Sequence, residues 1–175
     1  MQERKVILVG QRVGLGELLE EDQKQFWEWH QNLELLHLIV DHHAPTIEEQ
    51  HGWFTKAQDP DREMFSLMLV PSHTLIGHGG FVDIDGEMHS AQFRITIGDP
   101  MYWGRGYGTE ATQLILRHGF ESLRFRRVWL RVLLSNERAI RSYRKVGFRE
   151  VGREQVGDNG TKECMRMDIH AHEVQ

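Results

Sequence analysis

The segment Gly104-Arg105-Gly106-Tyr107-Gly108 places three glycines on alternate positions around an arginine and runs directly into the helix-forming stretch "TEATQLILRHGF". Glycine lets a chain turn sharply with nothing projecting from its backbone. The free N–H groups of the following helix's first turn would then face that space, with the helix dipole behind them. Such a loop suits a phosphate or pyrophosphate, and Arg105 adds a fixed, forked charge. The other reading is a tight strand-to-helix turn with no ligand. Two nucleotide-binding signatures do not fit. Counting from Gly104, the sixth place of a dinucleotide fingerprint falls on Thr109, and residues 99–103 separate the loop from its strand. No Gly-Lys-Ser/Thr follows, so a P-loop is absent.

A second constellation lies downstream, where Asn136, Ala139, Tyr143, Gly147 and Phe148 recur in "NERAIRSYRKVGF". Asn136 is placed to cap a helix and Gly147 to end it. Glu87, His89 and Asp83 lie near a strand-like run and could take a proton, and Ser135 could position a water. Each is equally at home on a solvated hairpin. Asp41-His42-His43 has no second cluster at ligand spacing to make a metal site with, so no metal is expected. Trp27, Trp29, Trp53 and Phe54 read first as helix-to-sheet packing and second as walls of a pocket. The Arg-rich "RFRRVWLR" alternates as a strand and matches no nucleic-acid module, so no nucleic-acid partner is expected.

The elements that must position these residues alternate along the chain. "KVILVGQRVGLGEL" reads as a first strand and residues 18–32 as an amphipathic helix, with Phe26 and Trp29 at helical spacing. Thr46 and Glu49 form a capping-box pattern before a short helix. Three strand-like runs follow, "MFSLMLV", "LIGHGGFVDID" and "AQFRITIGD", with an Asp85-Gly86 turn between the last two. The glycine loop opens a helix whose Ala111, Leu114, Ile115 and His118 share a face. "RRVWLRVLL" is a further strand. Two final strands flank Asp158-Asn159-Gly160, a hairpin signal. The predicted order is β-α-α-β-β-β-α-β-α-β-β, a mixed α/β (α+β) fold around a mostly antiparallel central sheet.

At 175 residues the chain is long enough for one domain with a sizeable core, over 1–175. Its 39% hydrophobic and 27% charged content is that of a soluble globular protein. No apolar run reaches the roughly 18 residues of a membrane span, and the N-terminal apolar stretch is too short and too charged for a signal peptide. The single cysteine, Cys164, excludes an internal disulfide, so a cytoplasmic location is expected. The net charge of −5 conceals a split: residues 1–100 balance at −10, residues 101–150 at +7 and the last 25 at −2. That pattern reads either as solvated faces or as an anionic ligand held by the C-terminal half and a cationic one met by the N-terminal half.

Taken together, the two motifs, about 30 residues apart in this order, resemble those of the GNAT superfamily of acetyl-CoA-dependent N-acetyltransferases. That family's pyrophosphate loop has the form Gln/Arg-x-x-Gly-x-Gly/Ala, and here Gly106 and Gly108 take the fourth and sixth places. Trp103 stands in the first, a departure that bears only on a side-chain contact. The later motif, Asn-x-x-Ala-x-x-x-Tyr-x-x-x-Gly-Phe, is complete. Within the family the sequence looks most like the branch of spermidine and ribosomal-protein N-terminal acetyltransferases.

The resemblance implies a sheet with splayed central strands and acetyl-CoA as cosubstrate. It implies that the pantetheine arm bonds to backbone at Thr96, Ile97 and Gly98, and that Arg105, Gly106, Tyr107, Gly108 and Thr109 hold the pyrophosphate. Asn136, with Ala139 beside it, would contact the pantetheine or simply cap its helix. Tyr143 would be the general acid toward the leaving thiolate, or else a core aromatic. Glu87 is the first candidate for the base. The acceptor would be the amine of a small cationic molecule, a polyamine or antibiotic, attacking directly in a ternary complex, because Cys164 lies away from both motifs. Acetylation of a protein N-terminus and a non-catalytic CoA-sensing module are the competing readings, with a plain nucleotide-binding domain behind them. A homodimer would be in keeping with the family.

Overall fold

The computed structural model describes residues 4–40, 43–157 and 160–173. Asp41 and His42 of the histidine cluster, and Asp158 and Asn159 of the hairpin signal, lie outside the described residues. The first apolar run forms a hairpin rather than one strand. β1 (Val6–Val9) and β2 (Val13–Glu17) pair antiparallel, and the Gly10 N–H closes the turn onto the Val13 carbonyl at 2.8 Å.

The helix expected over 18–32 is broken up. A 3-10 turn at Glu20–Asp22 leads into α1 (Gln23–Trp29), and a separate short α2 (Leu33–Leu36) follows. The cause is local: the Asn32 side chain accepts from the Glu34 N–H and starts a new helix instead of continuing the old one. At α3 (Ile47–Lys56) the Thr46–Glu49 capping box forms as expected, with both reciprocal bonds present.

Strands β3 (Glu63–Leu69), β4 (Leu75–Asp85) and β5 (Ser90–Ile97) follow, then α4 (Tyr107–Glu121), β6 (Arg127–Leu133), α5 (Glu137–Val146), β7 (Arg149–Val156) and β8 (Lys162–His170). They build an eight-stranded sheet in the order β1-β2-β3-β4-β5-β6-β8-β7. Every neighbouring pair is antiparallel except β5 and β6. That parallel pair is joined only where Ser90, Ala91 and Gln92 meet Arg127, Val128 and Trp129. Beyond Gln92 and Trp129 no ladder joins them, and a wedge-shaped gap opens in the middle of the sheet.

Helices cover the two faces differently. On one side α4 and α5 seal the main core: Phe81 meets Phe125 edge-on at 5.0 Å, and Phe93 packs against Tyr143 and Phe148 at 6.2 Å each. Burying an aromatic or aliphatic side chain of this size contributes about 1.5–3 kcal/mol. On the other side α1 and α3 pack Phe26 and Trp53 over β4, whose His78 ring lies 4.7 Å and 4.9 Å from theirs. A buried polar node fixes this second layer. Asp22, 3% exposed, accepts two bonds from the Arg4 guanidinium (2.6 and 2.7 Å) and one from the Ser66 hydroxyl (2.5 Å). Among the described residues no helix is long and apolar enough to cross a membrane.

Candidate active site

The glycine loop is a built feature. After β5 a 3-10 turn, Pro100–Tyr102, is capped by the Asp99 side chain, which accepts from the Met101 N–H at 2.9 Å. Gly104 and Gly106 then take left-handed φ values of 70° and 84°, where a side chain is strained, and α4 starts at Tyr107. The first amides of α4 have no carbonyl in a preceding turn, so they and the dipole behind them face outward.

The loop's shape is enforced from a distance. The Arg12 guanidinium donates to the Arg105 carbonyl at 2.9 Å and to Glu110 at 3.1 Å, while Glu110 also accepts the main-chain N–H groups of Arg12 (2.7 Å) and Val13 (3.1 Å). A Cβ at Gly106 would stand 3.0 Å from the Arg12 Nη2. The β1–β2 turn thus clamps the start of α4.

The gap between β5 and β6 holds a cavity of about 680 Å3. Thr96 and Ile97 from β5, Gly106, Tyr107, Gly108 and Thr109 from the loop, and Asn136, Ala139 and Tyr143 from α5 all line it. Thr109 and Ser142 share a hydroxyl hydrogen bond of 2.7 Å that ties α4 to α5 along this wall. Two of the expected residues are not in the lining. Arg105 spends its carbonyl on Arg12, and positive charge comes instead from Arg138, Arg141 and Lys145 of α5. Gly98 is covered by Trp29, whose ring stands where a Gly98 Cβ would be, 1.9 Å from the nearest ring atom.

Which backbone groups face the gap follows from the ladder. In an antiparallel pair successive residues turn their N–H and C=O to opposite sides. The Gly98 N–H donates to Ile76 of β4 at 3.0 Å, so Gly98, Thr96 and Arg94 face β4, and Phe93, Ile95 and Ile97 face the gap. The carbonyl of Ile97 is taken by the indole Nε1–H of Trp103 at 2.7 Å, and the Arg138 guanidinium lies over that indole at 4.3 Å. The backbone facing the gap beyond the last rung is therefore the Phe93 carbonyl, Ile95 and the Ile97 N–H, a register shifted from the expected Thr96–Gly98.

On α5, Asn136 accepts from the Ala139 N–H at 3.2 Å and donates to the Leu38 carbonyl at 3.0 Å, so it caps its helix and tethers the segment after α2. Gly147 ends α5 in the left-handed region, as its position suggested. The Tyr143 ring rests on Phe93 and Phe148, and burial raises its hydroxyl pKa.

The candidate bases are not brought to the cavity. Glu87 lies on the exposed turn between β4 and β5, Asp83 is exposed near the end of β4, and His89 lies just before β5, its carbonyl accepting the N–H of Arg126. None of the three lines the gap. Ser135 borders only a small depression beside Asn136.

The far end of the cavity, under α1 and α3, is lined by Trp53, one of the aromatics read as a possible pocket wall, and by a group the sequence did not single out: His30, His78, Gln50, Arg62 and Gln92. His78 is lowered to about 3, by burial first and then by the neighbouring His30, whose ring is 5.7 Å away. His30 is also lowered by burial, and its Nδ1 lies 2.7 Å from the Phe26 carbonyl. A carbonyl only accepts, so Nδ1 carries the proton and Nε2 the lone pair. Trp27 instead ties down the loop before α3 through its Nε1–H to the Pro45 carbonyl at 2.9 Å. Among the described residues no three His, Cys, Asp or Glu side chains gather as metal ligands would.

A mixed sheet split at a single parallel pair, with a glycine loop and helix N-terminus at the mouth of the split and a tyrosine in its wall, defines the acyl-CoA-type N-acetyltransferase architecture. The sequence profile of the acetyltransferase (GNAT) domain matches residues 12–149. The chain belongs to that family, a family of acyltransferases.

Among its relatives is the spermidine N(1)-acetyltransferase of Escherichia coli K12, 36% identical over 95 residues, which are 53% of this chain and 50% of that protein. An uncharacterized N-acetyltransferase, YnaD, of Bacillus subtilis is 30% identical over 107 residues, 61% of this chain and 62% of that one. Mouse alpha/beta-tubulin-N-acetyltransferase 9 is 24% identical over 164 residues, 87% of this chain and 68% of that protein. The chain thus spans about half to two thirds of these relatives' own length. In fold it is similar to the Vibrio cholerae spermidine N-acetyltransferase solved with CoA and spermine, with a TM-score of 0.83 at 23% identity over 92% of this chain and 96% of that one. A GNAT acetyltransferase from Bacillus anthracis gives 0.81 at 21% identity, over 94% and 98%.

Proposed function

We propose that this protein transfers the acetyl group of acetyl-CoA to a primary amine by direct attack in a ternary complex. The observation that carries the reading is the gap itself, open to solvent at the glycine loop and walled by Tyr143 at α5. The amides of Tyr107, Gly108 and Thr109 hold the pyrophosphate, with Arg138, Arg141 and Lys145 balancing its charge. The pantetheine arm completes the broken ladder along the Phe93 carbonyl, Ile95 and the Ile97 N–H. Asn136 and Ala139 form the facing wall.

The amine nitrogen attacks the thioester carbonyl from the α1–α3 side. A C–N bond forms, the C–S bond breaks, and the leaving sulfur takes a proton from the Tyr143 hydroxyl. That hydroxyl is kept protonated by its burial, and it recovers a proton from solvent as the amide product sheds the one from the attacking nitrogen. Glu87 has no part in this scheme, because its turn lies outside the cavity. Cys164 is buried in β8, pairing with Leu133, and is not an acyl carrier.

The relatives named as spermidine acetyltransferases place polyamines among the acceptors to try. The assay is release of CoA thiol from acetyl-CoA over polyamines, aminoglycosides, amino acids and short peptides, run beside acetyl-CoA binding. Turnover of one acceptor class supports the transferase. Absence of acetyl-CoA binding overturns it. Tight binding with no turnover on any acceptor favours a CoA-sensing module instead.

A further inference from the structure

The acceptor end of the cavity contains buried polar groups with nothing to bond. Gln50, His78 and Gln92 are 6%, 7% and 3% exposed, yet the Gln50 Nε2, both ring nitrogens of His78 and the Gln92 Oε1 make no hydrogen bond. The Nε of Arg62 is also buried and unbonded, with a carboxylate oxygen of Asp61 3.9 Å away. All four side chains line the same cavity. The register brings them together: on β4 and β5, His78 and Gln92 point to the α1–α3 face, and Gln50 sits one helical turn from Trp53, which packs on His78. Each buried polar atom without a partner costs about 1–3 kcal/mol, so five such atoms on four side chains of one wall mark a place where something polar binds.

The chemistry of the four is not suited to a polycation. Arg62 only donates and carries a full charge; the two amides and the neutral imidazole each donate and accept. The one carboxylate in the cavity lining among the described residues, Glu49, is already held by the Thr46 N–H at 2.7 Å and faces His43 at 3.3 Å. A second ammonium group would find only Glu49, both of whose oxygens are already engaged, whereas a carboxylate would meet Arg62.

We infer that the acceptor is amino-acid-like, carrying a carboxylate on the same small molecule as the amine, with Arg62 and Gln50 binding the carboxylate and His78 and Gln92 holding the N–H bonds of the amine. This rests on the acetyltransferase reading above and names its substrate class.

The test is CoA release with matched acceptors: free α-amino acids, their amides, the corresponding decarboxylated amines, and spermidine. The expected result is a kcat/KM highest for the free acids. Arg62→Ala should lower it roughly 10- to 100-fold for the acids, mainly through KM, as loss of a bond to a charged group implies. The same variant should affect the decarboxylated amines far less than the acids, and Arg62→Lys should recover part of the loss. An unchanged acetyl-CoA affinity confirms that each variant is folded. Preference for spermidine or the decarboxylated amines overturns the inference, as does turnover of none of the acids, or an Arg62→Ala loss equal for all acceptors. Failure to bind acetyl-CoA would instead sink the transferase reading itself.

Discussion

The indole N–H of Trp103 donates to the Ile97 carbonyl at 2.7 Å, joining the head of the anion loop to the strand that lines the gap. The residue that departs from the commoner loop pattern is therefore a brace. Trp103→Phe keeps the ring and removes the bond. We expect a loss of about 1 kcal/mol in stability and a several-fold weaker acetyl-CoA affinity, measured by urea unfolding and calorimetry. Unchanged affinity would assign the indole to packing alone.

Tyr143→Phe tests the proton donor. Burial holds the phenol pKa above its ordinary value, so the hydroxyl keeps its proton throughout the neutral range. The variant should lose about 100-fold or more in kcat with acetyl-CoA affinity intact. The wild-type pH–rate profile should show no falling limb from this tyrosine below about pH 10. A variant with normal kcat would return Tyr143 to the core.

His78 makes stability depend on pH. Its folded value of about 3 lies below the 6.5 of an exposed histidine. Between these values the unfolded chain binds a proton that the folded chain refuses. The contribution is complete above about pH 6.5 and is lost as pH falls toward 3, with a slope of up to about 1.4 kcal/mol per pH unit. Urea unfolding near pH 5 and pH 7 should show this, and His78→Phe should flatten the dependence.

Asp22→Ala strands the Arg4 guanidinium and the Ser66 hydroxyl beneath α1. Removing one partner of a buried ion pair costs about 3–5 kcal/mol. Thermal and urea unfolding should register a loss of this order, well beyond that of a surface charge such as Lys24→Ala.

Much of this architecture is legible where the signal is local. The run "LIGHGGFVDID" is β4 residue for residue, and Thr46, Asn136 and Gly147 mark their helix boundaries because caps are short-range chemistry. The first hairpin was hidden because its turn, Gly10-Gln11-Arg12, sits inside an apolar run. The helix after it breaks where Asn32 caps a second one. In the site, the loop and Tyr143 were readable as motifs. Arg12 was not, since its partner Glu110 is 98 residues away. Nor was His78, which differs from the chain's ten other histidines only in what the fold stacks around it.

The break between β5 and β6 also falls where the chain changes sign: residues 1–100, which include β1 to β5, balance at −10, and the next fifty at +7. At the gap itself the α5 lip, with Arg138, Arg141 and Lys145, is the strongly positive one. A ligand with a polyphosphate at one end is turned by that field before it touches anything, its charged end drawn to the α5 side and its neutral tail left to enter between the strands. Orientation during approach, rather than grip after arrival, is where added salt would be felt: encounter slows steeply with ionic strength while departure barely changes.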